Sequence, residues 1–242
     1  MIQSISNRLL PFLVVLVLVG CASGSPESPP QASGPPPNTI GAQPTAYSAS
    51  ASPSEEELVR RTFQAYKEAI LQQRGQSAVA QVNRATLQYY ARMKALALEG
   101  PEKDVRQLRP MNKIMVLSLR HRVSADRLRA MTPEDIFIHG VDQGWIGKNS
   151  VLESDIGQTR VFGNDASADY VKGGKPTPLK FRFTKEDGRW KVDLTALTPM
   201  ADQGMSMLIK KQGVDEDAFI VGLVESVSGK KVSPSIWQPL GK

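Results

Sequence analysis

The chain has 242 residues, a net charge of +6, one cysteine and two histidines. One cysteine excludes an intramolecular disulfide, and two histidines without further cysteines are too few for a zinc site. The sequence contains neither a Gly-x-Ser-x-Gly nucleophile motif nor a phosphate-binding glycine loop. We therefore predict that the protein carries no metal and no cofactor.

Residues 1–20 have the pattern of a secretory signal peptide. Arg8 precedes an apolar run at residues 9–19, which is 11 residues long. A helix that spans a bilayer needs about 20 apolar residues, whereas the apolar region of a signal peptide has roughly 7–15. The run leads into Leu18-Val19-Gly20-Cys21, which resembles the lipobox of bacterial lipoproteins. That resemblance implies cleavage after Gly20 and lipidation of Cys21, with acyl chains such as palmitate as the anchor.

The same resemblance implies a location in the cell envelope. Ala22, rather than aspartate, follows the cysteine, and in enterobacterial lipoproteins this favours transfer to the outer membrane. We expect the mature protein to be held on the periplasmic face of that membrane, so that the membrane is its first partner. Nucleic acid is not an expected partner of an exported protein.

Residues 21–53 are predicted to form a disordered tether behind the lipid. Residues 22–53 hold eight prolines and one charged residue, Glu27, with serine and alanine in most of the other positions. Such a segment cannot bury enough apolar surface to offset the entropy that it would lose on ordering. Residues 54–242 then form a single domain, which is long enough to have its own core.

Helical periodicity dominates the first part of this domain. Ser54 and Glu57 have the spacing of a capping box, and the first helix is predicted to end at Gly75. A second helix, with apolar residues from Val79 to Leu96 on one face, ends at Gly100-Pro101. Further helices are predicted after Pro110, at residues 124–131, after Thr132-Pro133, and at residues 199–211 and 215–227, before an extended tail at residues 233–242.

Between these helices the pattern changes to the two-residue period of strands. Four strands are predicted, at residues 156–162, 166–171, 179–185 and 189–195. The turns that join them are so short that only antiparallel pairing is open to them. Alternation places Phe181, Phe183 and Trp190 on the face toward the helices, and Lys180, Arg182 and Lys191 on the opposite face.

The helical hairpin and the end of the sheet resemble the nuclear-transport-factor-2-like superfamily. Many of its bacterial members close the sheet with an acidic-glycine turn and a Trp-Lys-Val strand, as in Glu186-Asp187-Gly188-Arg189-Trp190-Lys191-Val192 here. The resemblance implies an α+β fold in which N-terminal helices pack on a curved antiparallel sheet around a cone-like pocket. The helical residues 102–143 and the extra C-terminal helices depart from this pattern. Because the superfamily includes polyketide-cyclase-like enzymes as well as binding and assembly modules, the fold alone does not decide the function.

Six residues are expected to line the pocket, all of them apolar or aromatic: Tyr66, Tyr89, Met93, Phe181, Phe183 and Trp190. Because this lining holds no acid, we predict that the domain binds an apolar ligand or a protein partner without catalysis. The alternative is a pocket enzyme of the isomerase, dehydratase or hydrolase type with Asp135, His139 and Asp142 as its catalytic residues. His139 lies four residues after Asp135, so that a carboxylate on the same helical face would orient the imidazole. Carboxylates that only cap a helix explain the same pattern.

Residues 103–129 contain eight basic residues against two acidic ones, an excess equal to the +6 of the whole chain. We expect five of the basic residues to form a surface that contacts an anionic lipid or envelope polymer: Arg106, Arg109, Lys113, Arg120 and Arg122. A solvated helical face has the same composition.

A third hypothesis is a structural or assembly factor of the cell envelope that binds a protein partner through the C-terminal helices. An exposed apolar stripe at Phe219, Leu223 and Val224 would favour it. A buried polar cluster in the pocket would favour the enzyme instead.

Overall fold

The computed structural model describes residues 52–145 and 148–241, so the predicted signal peptide, Cys21 and nearly all of the tether lie outside it. Within these two ranges, helices come first, a four-stranded antiparallel sheet follows, and helices return at the end. The predicted α+β class is therefore confirmed. None of the described helices has the length and apolar character needed to cross a membrane.

The helices and strands have the following bounds. The helices are α1 Glu55–Leu71, α2 Gly75–Val79, α3 Arg84–Glu99, α4 Glu102–Arg106, α5 Pro110–Arg122, α6 Ala125–Ala130, α7 Pro133–Asp142, α8 Asn149–Leu152, α9 Thr198–Gln212 and α10 Glu216–Ser228. The strands are β1 Ser154–Phe162, β2 Asp165–Lys172, β3 Lys175–Glu186 and β4 Arg189–Asp193. Short 3₁₀ helices occupy Leu194–Leu197 and Pro234–Trp237.

Capping residues and prolines set most of the helix starts, as the sequence predicts. The Ser54 hydroxyl accepts a hydrogen bond from the Glu57 amide at 3.2 Å, which satisfies one of the free N–H groups in the first turn of α1. Thr132 and Asp135 form a complete capping box at the start of α7. Pro110 is the first residue of α5, where its missing N–H costs nothing.

The predicted second helix is in fact two helices, α2 and α3, separated by a turn at residues 80 and 81 and a short bridge to β4. Val82 lies beside Val192 of β4 in a parallel bridge, and the Val192 amide donates to the Gln81 carbonyl at 2.7 Å. Asn83 then caps α3, because its buried side-chain oxygen accepts from the Thr86 amide at 2.9 Å. The prediction of one continuous helix was wrong because this asparagine cap lies inside an apolar pattern that runs on at helical spacing.

Gly75 begins α2 and does not end α1, which stops at Leu71. A Cβ atom on Gly75 would lie 2.5 Å from the Ile138 carbonyl oxygen of α7. The Gly75 amide donates to the Asp142 carboxylate at 2.7 Å. The glycine is therefore needed for the close approach of α2 to α7, a tertiary requirement that the local sequence does not announce.

The sheet is a meander in the order β1-β2-β3-β4, and its alternation follows the prediction. Phe181, Phe183 and Trp190 are buried, with 6%, 1% and 3% of their surface exposed. Lys180 and Arg182 are exposed, and Lys191 is half-buried. On the buried face, α1 packs against the sheet, with the ring centroids of Phe63 and Phe181 4.9 Å apart.

The C-terminal tail is not simply extended but docks on the helices. The amides of Leu240 and Gly241 donate to the carbonyls of Ala97 and Leu98, at 3.2 and 2.8 Å. Ile236 and Trp237, in the short 3₁₀ helix, are buried. The tail therefore completes the part of the core that surrounds the end of α3.

Candidate ligand-binding cavity

Five of the six residues predicted to line a pocket contribute instead to the solid core. Tyr66, Met93, Phe181, Phe183 and Trp190 each expose less than a tenth of their surface. The tilted rings of Phe63 and Phe181, and the edge-to-face rings of Tyr170 and Phe181, fill the space between α1 and the sheet. The aromatic side chains that were expected to line a pocket are large enough to fill that space completely.

Tyr89, the sixth residue, does line a cavity, but this cavity lies among the helices. It has a volume of about 200 Å³ and is enclosed by α3, α5, α7 and α10; we call it the helical cavity. Its longest wall is a stripe on α5 formed by Met111, Met115, Ser118 and Arg122. These residues recur at intervals of three to four, so they share one face of the helix. From the first to the last is about 16 Å along the axis.

The other walls are aliphatic or aromatic. The α3 helix contributes Tyr89 and Tyr90, whose rings meet edge to face with centroids 5.6 Å apart. The α7 helix contributes Ile136 and Gly140, and α10 contributes Leu223, Val224 and Val227. Trp145, three residues after the end of α7, completes the lining. Val227 is 44% exposed, so part of this wall is at the surface.

A second cavity of about 220 Å³ adjoins the first. The two share four lining residues, Tyr89, Tyr90, Met111 and Met115. The far wall of the second cavity comes from the segment between β4 and α9, including Leu194 and Leu197. Each is smaller than the roughly 300–1,000 Å³ of pockets for drug-sized ligands, but joined they fall within that range. The methionines between them are flexible side chains that adapt to different occupants.

Among the described residues, Arg122 is the one with a charged side chain in the wall of the helical cavity. Its guanidinium carbon lies 5.0 Å from the centroid of the Trp145 ring, a cation–π distance. Its Nε is buried and has no hydrogen-bond partner, and Arg122 forms no ion pair with any residue in the described ranges. Burial lowers the pKa of the Arg122 guanidinium, which nevertheless stays charged at neutral pH.

Both histidines lie close to this arginine. His121 places its Nε2 2.9 Å from the Ser228 hydroxyl of α10, and His139 packs edge to face on Trp145 with centroids 4.9 Å apart. Burial lowers the pKa of His121, and the charges of Arg122 and Lys230 lower it further. Burial and then the charge of Arg127 lower the pKa of His139 in the same way. Both imidazoles are therefore neutral at neutral pH, in a region of positive potential.

The three candidate catalytic residues are not brought together as an acid–base pair. The Asp135 carboxylate accepts from the Thr132 amide and hydroxyl, at 2.9 and 2.8 Å, and these bonds lower its pKa. The Asp142 carboxylate accepts from the Gly75 amide at the start of α2. His139 Nδ1 lies 3.3 Å from the Arg127 guanidinium. The two carboxylates thus have capping roles, which is the simpler of the two explanations for their pattern.

The prediction of a basic surface is wrong for two of its five residues, Lys113 and Arg120, which are buried. Lys113 exposes 2% of its surface and pairs with Glu216 and Asp217 of α10, at 2.7 and 2.6 Å. Arg120 exposes 6% and donates to backbone carbonyls of α3 and the tail. The reason is that α5 is packed on several sides, so its long basic side chains reach internal acceptors and not solvent.

The other three basic residues have different surroundings. Arg106 pairs with Glu102 and Asp217 and lies over the Trp237 ring at 4.1 Å. Arg109 is exposed, and Arg122 lines the helical cavity. The five residues therefore do not form one surface.

The C-terminal apolar stripe also faces inward. Leu223 and Val224 expose 7% and 2% of their surface and line the helical cavity, while Phe219 is half-buried. The exposed stripe that would favour an assembly factor is therefore not present at these residues. The sequence gives no indication that Leu223 and Val224 meet the stripe on α5.

In the described ranges, no group of three or more His, Cys, Asp or Glu side chains is placed to hold a metal ion. Comparison of the chain with protein-family models, with curated proteins and with solved structures finds no match. The resemblance to the nuclear-transport-factor-2-like superfamily therefore stays a prediction.

Proposed function

We propose that the protein is a membrane-anchored lipoprotein of the cell envelope whose domain binds an apolar ligand in the helical cavity without catalysis. The observation that carries this proposal is the cavity itself, a space of about 200 Å³ with aliphatic and aromatic walls on four helices. An apolar cavity of this size accepts a ligand somewhat larger than benzene, which enters an engineered cavity of about 150 Å³. The adjoining second cavity extends the space for a longer ligand.

The chemistry of the walls supports binding over catalysis. The described residues that line the helical cavity include no carboxylate and no imidazole. Burial raises the pKa of the Tyr89 and Tyr90 phenols, so they stay protonated and are poor bases. Proton abstraction would need a base with a pKa near the working pH, and these walls do not offer one.

The fold supports a related proposal, membership of the nuclear-transport-factor-2-like superfamily with its cone-like packing of helices on a curved sheet. Helices precede a four-stranded antiparallel meander, which ends in the turn Glu186-Asp187-Gly188 and the strand of Trp190. Asp187 and Gly188 have φ angles of 49° and 77°, the conformation that a tight hairpin turn requires. In this interpretation, the superfamily pocket is filled by aromatic side chains, and the ligand site has moved to the helical cavity.

The anchor at Cys21 lies outside the described residues and has its own test. In cells, wild-type protein is expected in the detergent phase of a phase-partition experiment, with an acylated amino-terminal peptide by mass spectrometry. Cys21→Ser should remain in the aqueous phase and unacylated, because no other residue can take the thioether lipid. Ser23→Ala is the control and should be acylated like the wild type; an unacylated Cys21 in the wild-type protein would contradict the lipoprotein assignment.

Ligand binding is tested by filling the cavity from its exposed side. Calorimetry is expected to detect binding of octan-1-ol to the wild-type domain and no binding to Val227→Trp, because the indole would occupy the space between α5 and α10. Val214→Trp is a matched control, since Val214 and Val227 are each 44% exposed and Val214 is not among the lining residues. It should bind octan-1-ol like the wild type. Equal binding by Val227→Trp and wild type would place the ligand elsewhere.

A further inference from the structure

Arg122 puts an unbalanced positive charge into an otherwise apolar wall. Its Nε is buried without a hydrogen-bond partner, and a buried donor left unsatisfied destabilises the protein. Lys113, a buried cation on the same helix, is by contrast neutralised by two carboxylates within 2.7 Å. No carboxylate in the described ranges forms such a pair with Arg122. Arg122 is therefore suited to pair with an acceptor that carries negative charge.

The surroundings of Arg122 strengthen this electrostatic preference. Arg127 and Lys230 lie close enough to the two neighbouring histidines to lower their pKa values, as Arg122 itself does for His121. Asp142 and Glu225 act in the opposite direction, with smaller effects than burial and the basic residues. An anion that enters at this end of the cavity meets a positive potential in a region of low dielectric constant, where charge pairs are strong.

The shape of the cavity indicates the length and the polarity of the ligand behind its charged head group. Arg122 is at one end of the α5 stripe, and Met111 is about 16 Å away along the helix at the other. Between them the walls that the described residues form are apolar except for the hydroxyl-bearing residues Ser118, Tyr89 and Tyr90. At the far end, Met111 and Met115 also line the second cavity, so a chain can continue there. A charged head at one end and an elongated apolar path behind it fit a linear amphiphile.

We propose that the ligand is an anionic amphiphile with a single linear chain, whose head group pairs with Arg122 and whose chain lies along Met115 and Met111. This inference rests on the proposed function, since it takes the helical cavity as the ligand site. A carboxylate or a phosphate head satisfies the guanidinium equally well in geometry, because both accept two parallel N–H bonds. The ring face of Trp145 lies against the guanidinium, whose carbon is 5.0 Å from the ring centroid.

Four probes with the same chain separate charge from apolar contact: octanoate, octyl phosphate, octan-1-ol and octylammonium. By calorimetry at pH 7, the wild-type domain is expected to bind at least one of the two anions about tenfold or more tightly than octan-1-ol, as a charge-assisted hydrogen bond predicts. The tighter of the two anions identifies the head group. Octylammonium should bind most weakly, because it would bring a second cation next to Arg122.

Arg122→Met removes the charge and keeps a side chain of similar length. This variant is expected to lower the affinity for the anions to that for octan-1-ol. The affinity for octan-1-ol should change by less than about twofold. Arg122→Gln is a second variant with the same expected loss of preference, in case methionine perturbs the fold. Arg109→Met, which removes an exposed arginine just before α5, should keep the preference of the wild type.

The outcomes separate this inference from the proposed function. The proposal of an anionic head group is overturned if the wild-type domain binds octan-1-ol as tightly as both anions. It is also overturned if Arg122→Met lowers the affinity for all four probes by the same factor. In both cases the apolar site remains. If none of the four probes binds the wild-type domain, the proposed function is overturned together with the inference.

Discussion

Arg120→Met is expected to lower the free energy of unfolding by about 3–5 kcal/mol, the range for removing one partner of a buried charged network. All five guanidinium N–H groups of Arg120 donate to backbone carbonyls, those of Leu96, Ala97, Gly100, Ile236 and Trp237. Methionine fills a similar volume but donates nothing, so these carbonyls lose a donor while they stay buried. The Leu96 and Ala97 carbonyls keep a backbone donor, whereas each buried acceptor left without a partner costs about 1–3 kcal/mol.

The expected loss is less than the sum of five such bonds because Arg120 is itself costly to bury. Burial lowers the pKa of its guanidinium, and removing it from the core recovers that desolvation cost. Chemical denaturation measures the difference. Arg120→Lys should recover little of the stability, since one ammonium cannot reproduce a planar fork with five donors.

Arg61→Met is the control for Arg120→Met. Arg61 is also on a helix, but 63% of its side chain is exposed, and within residues 52–145 and 148–241 its ion pair is with Glu57, four residues earlier. Its replacement should change the free energy of unfolding by no more than about 0.5 kcal/mol. Amide hydrogen exchange at Leu240 and Gly241 should rise in Arg120→Met and not in Arg61→Met, because Arg120 holds the tail. Equal stability of the two variants would show that the tail does not depend on Arg120.

Trp190→Ala is expected to cost about 3–5 kcal/mol, as for other large aromatic residues truncated in a core. Trp190 exposes 3% of its surface, and its indole Nε1 donates to the Glu55 carboxylate at 2.6 Å, which ties β4 to the start of α1. Phe162→Ala removes another aromatic ring of the same sheet that is 69% exposed, and its loss should stay below about 0.5 kcal/mol. A loss below about 1 kcal/mol for Trp190→Ala in denaturant melts would contradict the observed burial of that face of β4.

The sequence predicted those elements whose signals are local. The three turns of the sheet are short and rich in glycine or asparagine, and the alternation of Phe181 and Phe183 with Lys180 and Arg182 decides which face is buried. The starts of α7 and α10 follow from Thr132 and Asp215, whose side chains accept from amides three residues on. In each case the deciding contact lies within a few residues of the signal.

The site could not be predicted because it depends on contacts far apart in the chain. Residues in the walls of the helical cavity belong to four helices, and Met111, Ser118 and Leu223 have no local feature that separates a cavity wall from a core. One signal of the cavity wall is present in the sequence. Met111, Met115, Ser118 and Arg122 recur at helical spacing and therefore share one face of α5. Composition alone cannot show that Lys113 pairs with Glu216, while Arg122 pairs with no acidic residue in the part of the chain that the structure describes.

The helical cavity as a ligand site is tested most directly by methyl NMR on protein labelled at its methionines. On addition of octan-1-ol or octanoate, the methyl signals of Met111 and Met115 should shift, because both side chains line the helical cavity. The signals of Met93, which is 3% exposed in the core, and of Met207, which is 61% exposed at the surface, should stay in place. Saturable shifts at Met111 and Met115 alone are the predicted result; shifts at Met207 with none at Met111 or Met115 would contradict it.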